Sequence, residues 1–186
     1  MAGHGHVDTH GDKRIALLIA ILALCLAVVE TGAKSSQTEA LTRNVEAANL
    51  WAFFQARTIR QTNVRTAAEQ AELQKAGADA AARTAIEAQQ QTWRDTAARW
   101  ESEPATGEGR KELAERAKAA EDVRERSMAK YHLFEYSSAA LQVAIVVASA
   151  SIITGVPVLA LLGVGLGLVA GVLGGIGWLA PDMFGH

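Results

Sequence analysis

The sequence predicts an all-α integral membrane protein with three transmembrane helices and a long, coiled-coil-like helical hairpin domain between the first and second. Three observations carry this expectation. Residues 15–29 are uninterrupted apolar sequence behind Lys13 and Arg14. Residues 136–180 contain no charged side chain, and their length is about twice the ~20 residues that cross a bilayer. Between them, residues 34–135 are rich in Ala, Glu, Gln, Lys and Arg, all good helix formers. With 186 residues and a formal net charge of -2, the chain suits one small membrane unit. Charge is balanced along the polar part, so no basic footprint for nucleic acid exists. The one cysteine, Cys25, lies in an apolar run and excludes an intrachain disulfide.

Residues 1–14 form a polar tail with His4, His6, Asp8, His10 and Asp12. His-rich tracts bind divalent metals by composition. This spacing matches no defined metal motif and glycines loosen it, so a solvated tail is the favoured reading. His4, His6 and His10 are weak metal candidates, and no cofactor is expected.

Residues 15–33 admit two readings, since a signal peptide also has a basic start and a short apolar core. Thr31-Gly32-Ala33 is a weak cleavage site with Glu30 close by, and Leu24 before Cys25 spoils a lipoprotein signal. A retained first span is preferred. Lys13 and Arg14 then favour a cytoplasmic N-terminus in a bacterial inner membrane, with the helical domain periplasmic.

From Lys34 to Glu103 there is no proline and one glycine, Gly77. Leu41, Val45, Ala48 and Ala52 recur at helical steps, and so do Ala82, Ile86, Trp93, Ala97 and Trp100. This is the pattern of a long helix with a narrow, alanine-rich seam. Residues 102–109, with Pro104, Gly107 and Gly109, break it. At ~1.5 Å per residue, residues 34–103 would reach roughly 100 Å but residues 110–135 only about 40 Å. Both ends meet the same membrane face, so an apex near Gly77 balances the arms better than one at the Pro104 loop. A kinked three-helix arrangement with its apex at that loop is the competitor.

The charge-free C-terminal stretch divides at Thr154-Gly155-Val156-Pro157, because proline suits a first helical position. The second span is thus placed at residues 136–155 and the third at 157–180. Pro181 stops it, and residues 181–186 form a short tail. Tyr136, Trp178 and Phe184 fall at one interface.

Each span carries small residues along one face: Ala16, Ala20, Ala23 and Ala27; then Ala140, Ala144, Ala148, Ser151 and Gly155; then Gly163, Gly167, Gly171 and Gly175. In lipid, helix association depends on close packing, which such faces permit. Packing within one subunit and contact with a second copy both satisfy this pattern. Continuing the alanine face brings up Glu30 and then Lys34. An intramembrane acid is a functional candidate by default, against the plainer reading of a boundary residue paired with Lys34. Gln142 is placed to reach Glu30. In the charged region, Trp51, Phe53 and Phe54 make the helix apolar on all sides. That means either a locally thick core or a contact between subunits.

Residues 49–60, Asn-Leu-Trp-Ala-Phe-Phe-Gln-Ala-Arg-Thr-Ile-Arg, and residues 134–145, Phe-Glu-Tyr-Ser-Ser-Ala-Ala-Leu-Gln-Val-Ala-Ile, resemble the signature of a bacterial membrane-protein family of unknown function. The resemblance covers nearly the whole chain and implies a short first span, a helical middle and two C-terminal spans. Members of that family often carry basic residues between the last two spans. This chain has none there, which weakens the topology the family would imply. The family lends no activity.

No nucleophile elbow, phosphate loop or paired His-Glu zinc signature occurs, so the expectation is a protein that is not an enzyme. The expected role is a non-catalytic membrane scaffold or accessory subunit that self-associates, joins a larger membrane complex, or both. A homo-oligomeric pore with glycine-lined helices is the alternative.

Overall fold

A computed structural model describes residues 9–181. Its described residues form four α-helices: α1 (Thr9–Gln74), α2 (Ala80–Glu101), α3 (Arg110–Thr154) and α4 (Pro157–Leu179). Three of them, α1, α3 and α4, are long and apolar enough to cross a membrane. The described residues divide into two compact units, one of residues up to 41 with those from 124 onward and one of residues 42–123.

In the apolar unit, α3 ends at Thr154 and α4 starts at Pro157. Gly155 makes the turn at φ 66°, a left-handed conformation that glycine adopts without a Cβ clash. Its N–H donates to the Ser151 carbonyl at 3.0 Å. Pro157 opens α4, where no intrahelical donor is missed. Leu22 of α1, Leu141 and Ala144 of α3 and Ala170 of α4 form the core, and Leu18, Leu26 and Val29 pack against it.

The alanine face of the first span is not the one packed within this subunit. Ala16, Ala20, Ala23 and Ala27 are all exposed. The packed face runs instead through Leu18, Leu22, Leu26 and Val29, because the small residues sit opposite, on α4. A Cβ at Gly167 would lie 2.7 Å from Leu22 Cδ2, so the leucine occupies the glycine's notch. Large against small fills the space, where alanine against glycine would leave a void. On α3 the small face is packed as expected, with Ala144, Ala148 and Ser151 buried and Ala140 half-buried.

In the charged unit, a 3-10 turn at Lys75–Gly77 separates α1 from α2. Asp79 caps α2 by accepting from the Ala82 N–H at 2.8 Å. Gln61 donates to the Ala97 carbonyl at 2.8 Å, and Gln90 donates to the Ala68 carbonyl at 2.7 Å. An advance from Gln61 to Ala68 on α1 therefore matches a retreat from Ala97 to Gln90 on α2, so α2 runs back along α1. Residues 102–109 form a turn-rich break before α3.

The seam expected on α1 is also displaced. Val45, Ala48 and Ala52 are exposed, and so is Leu41. Ala47, Leu50, Arg57 and Gln61 are buried instead, nearly opposite on the helix. Three polar side chains, Arg57, Gln61 and Gln90, complete the packed seam, and a count of apolar residues passes over them. Ala97 on α2 is buried as expected, with Ile86, Trp93 and Trp100 partly buried beside it.

Candidate functional site

The apolar unit carries an open groove of about 490 Å³ between α1 and α4. Leu18, Leu24 and Val28 form its α1 wall, and Gly167, Gly171 and Gly175 its α4 wall. Its width follows from the glycines. A Cβ at Gly171 or Gly175 would meet nothing within 4 Å. The four glycines thus divide. At Gly163 an added Cβ would lie 3.1 Å from the Ala144 carbonyl oxygen and 3.2 Å from Ala148 Cβ, so this glycine packs within the chain. Gly167 receives Leu22, while Gly171 and Gly175 stay open.

Two glycines that the four-residue spacing passes over do more internal packing. Gly174 and Gly177 are buried. Phe134, 3% exposed, lies between Gly32 on α1 and Gly177 on α4, each with a would-be Cβ 3.2 Å from the ring. Ser137 donates to the Ala170 carbonyl at 2.8 Å, a buried bond between α3 and α4. The signal for these positions was the second glycine series beside the first: Gly163, Ala170, Gly174 and Gly177 share one face of an α-helix.

Four further hydroxyls of the apolar segments donate to backbone carbonyls. Thr31 donates to Ala27, Ser149 to Ile145, Ser151 to Val156 and Thr154 to Ala150, all at 2.8–2.9 Å. Glu30 is exposed, in line with the alanine face that does not pack within the subunit. Gln142 donates to it at a long 3.5 Å and to Ser138 at 3.3 Å. Tyr136 and Trp178 are 61% and 65% exposed, while Phe184 lies outside the described residues.

In the charged unit the aromatic block divides too. Trp51 and Phe54 pack on Leu50, Leu113 and Ala117, and Trp51 Nε1 donates to Glu121 at 2.9 Å. The Arg110 guanidinium lies 4.9 Å from the Phe54 ring centroid. Only Phe53 remains open, at 40% exposure, with Arg57 5.6 Å above its ring. Most of the block therefore belongs to a thick local core.

Beside that core, Arg110 donates to Gln61 Oε1 at 2.8 Å and to Glu101 at 2.9 Å, and Gln61 donates to Glu101 at 2.9 Å. Arg57 pairs with Glu108 at 2.7 Å. Donation from Gln61, with the Arg110 charge behind it, holds the Glu101 carboxyl below its ordinary value of 4.5. Glu112 is lowered first by the Ser102 hydroxyl, which it accepts at 2.6 Å. A carboxyl lowered in the folded state adds stability above its unfolded pKa and loses it as pH falls through the folded value. Thermal stability of the charged unit should therefore be flat near neutrality and fall below about pH 4.5. Circular dichroism melts across pH 7 to 3 would show this, and Glu101→Gln with Glu112→Gln should flatten the acid limb.

Among the described residues, no group of three or more His, Cys, Asp or Glu is placed to hold a metal. His4 and His6 lie outside the described residues, and His10 falls in the first turn of α1.

A family model described as a domain of unknown function (DUF4337) matches residues 11–180. The chain belongs to the DUF4337 family. No curated protein and no solved structure matches it. The matched stretch takes in all three apolar segments and the residues that line the groove.

Proposed function

We propose that the chain is a non-catalytic membrane scaffold or accessory subunit that self-associates through the α1–α4 groove. The observation that carries this reading is the open half of the glycine file. Gly171 and Gly175 hold no side chain of their own subunit, yet they line an apolar concavity on a helix long enough to span a bilayer. Glycine at such a position lets a second helix approach closely, and close contact is what stabilises association in lipid. On this reading α1, α2 and the first part of α3 make a hairpin domain on one side of the membrane. Lys13 and Arg14 favour a cytoplasmic N-terminus, so that domain is periplasmic in a bacterial inner membrane.

A pore is the weaker reading, because Ser137, Ser149, Ser151 and Thr154 each donate to a carbonyl of their own subunit. Gly171→Leu and Gly175→Leu should leave helicity and thermal melting near those of the parent while reducing the detergent-corrected mass by light scattering to that of one chain. An unchanged oligomeric mass in both variants would remove the proposal.

A further inference from the structure

The pairing of α1 with α2 in the charged unit contains an internal repeat. Gln61, Arg65, Ala68 and Glu72 on α1 recur 29 residues on as Gln90, Arg94, Ala97 and Glu101 on α2. The fold uses the two copies reciprocally. Gln61 donates to the Ala97 carbonyl at 2.8 Å and to Glu101 at 2.9 Å. Gln90 donates to the Ala68 carbonyl at 2.7 Å and to Glu72 at 3.0 Å. Each glutamine thus meets the alanine and the glutamate of the other copy, so a local two-fold axis relates these antiparallel stretches. In that register the axis passes at the level of Val64 and Arg65 on α1 and of Trp93 and Arg94 on α2.

An open cleft of about 530 Å³ lies on the axis. Ala68 and Ala97 are small enough to leave it room, Val64 and Trp93 give it apolar sides, and Arg65 and Arg94 line it at the same level. The volume suits a small organic molecule. Among the described residues, neither arginine makes a hydrogen bond or an ion pair. Each acts only at longer range on the glutamate of the other copy, Arg65 on Glu101 and Arg94 on Glu72. Those carboxylates are already engaged, Glu101 by Gln61 and Arg110, and Glu72 by Gln90 and Lys75. Two guanidinium groups at one level of one cleft repel each other, and an anion between them replaces that repulsion with two attractions. The planar fork of arginine matches the oxygens of a carboxylate or a phosphate. The repeat breaks at Glu69, which lines the cleft one turn from the arginines where the other copy has Ala98. That carboxylate disfavours a second acidic group on the ligand and accepts a hydroxyl or an amine.

We infer that this cleft binds a small organic anion with one acidic group, a carboxylate or a phosphate held between Arg65 and Arg94, and with its apolar body against Trp93. The cleft belongs to the charged unit and needs no second copy, so its occupancy is independent of the α1–α4 groove.

The test is titration calorimetry on the full chain in detergent, with phenyl phosphate, benzoate, inorganic phosphate and benzyl alcohol as probes. The expected result is one-site binding of phenyl phosphate or benzoate with a Kd of about 1 mM or below. The one that binds tighter identifies the acidic group. Inorganic phosphate should bind more weakly than phenyl phosphate, and benzyl alcohol should give no saturable heat. Arg65→Gln and Arg94→Gln should each weaken the binding by about tenfold or more, the loss expected for one charge-assisted hydrogen bond. Both side chains are exposed, so circular dichroism should stay unchanged. Arg60→Gln, outside the cleft, should bind as the parent does. Absence of saturable binding by both aryl anions would overturn the inference. So would equal binding of benzyl alcohol, inorganic phosphate as tight as phenyl phosphate, or a loss of affinity in fewer than both arginine variants.

Discussion

Gly109→Ala is expected to destabilise the charged unit by roughly 1–3 kcal/mol or more, the range for forcing a methyl into filled space. Gly109 precedes α3, and its carbonyl accepts from the Leu113 N–H at 2.9 Å. Its φ is not in the left-handed region, so the requirement is for space alone. An added Cβ would collide with the Glu112 carboxylate and the Glu103 backbone nitrogen and lie 2.7 Å from Ser102 Cα. Two of these are backbone atoms of the segment that closes the break between α2 and α3, so no rotamer change relieves them. The Glu112 carboxylate cannot simply swing away, because it accepts from the Ser102 hydroxyl and the Glu103 N–H. Directly behind the loop, Leu113 is 1% exposed. Displacing Gly109 therefore also disturbs the core beneath Trp51 and Phe54. For a unit of this size each kcal/mol corresponds to roughly 4–8 °C in Tm. A melt of the full chain by circular dichroism reads the shift. Gly77→Ala is the matched control, since a Cβ there meets nothing within 4 Å, and it should melt within about 2 °C of the parent.

Much of the fold was legible because apolar runs, glycine and proline act locally. The charge-free stretch, the Gly155–Pro157 turn and the break at residues 102–109 each follow from one or two residues whose backbone preferences no distant contact overrides. The packed faces were harder to read. On α1 the apolar stripe through Val45 and Ala52 looked like the seam, yet the helix turns it outward and packs a stripe containing Arg57 and Gln61. Those side chains are buried because each finds a polar partner across the interface, Glu108 for one and the Ala97 carbonyl for the other. Such pairings join residues 36 and 51 positions apart, so hydropathy along α1 cannot reveal them. The same limit applies in the apolar unit. Regular spacing drew attention to Gly163 through Gly175, but spacing does not tell an open glycine from a filled one. That distinction depends on where Leu22 and Phe134 fall, and they are set by α1 and α3. Glu30 continues the alanine face and is exposed with it.

Gly163→Leu is expected to unfold the apolar unit, whereas Gly171→Leu should leave it folded and, on the proposed self-association, lower only the oligomeric mass. The two positions share a helix and a spacing, and they differ in what stands opposite. Facing Gly163 are Ala144 and Ala148, both 0% exposed. Contacts of 3.1 and 3.2 Å already require the neighbours to give way for a single added carbon, and one of those neighbours is backbone. Leucine adds three more carbons in the same direction. The helices cannot separate locally, because the turn at Thr154–Pro157 joins them a short way above. Relief must therefore come from tilting α4 as a whole. That tilt breaks the Ser137–Ala170 bond and withdraws Gly177 from Phe134, leaving a polar pair and an aromatic slot without partners. Overpacking of this size commonly costs about 1–3 kcal/mol, with larger values where backbone must move. Loss of a buried hydrogen bond adds about 1–3 kcal/mol. Within this argument Gly163→Ala should fall between parent and leucine variant in thermal melting. Trp178, whose ring lies 6.1 Å from that of Phe134, offers a fluorescence readout of the displacement. Equal melting for Gly163→Leu and parent would mean that α3 and α4 do not meet at this glycine. The division of the file into an internal half and an outward half would then fail with it.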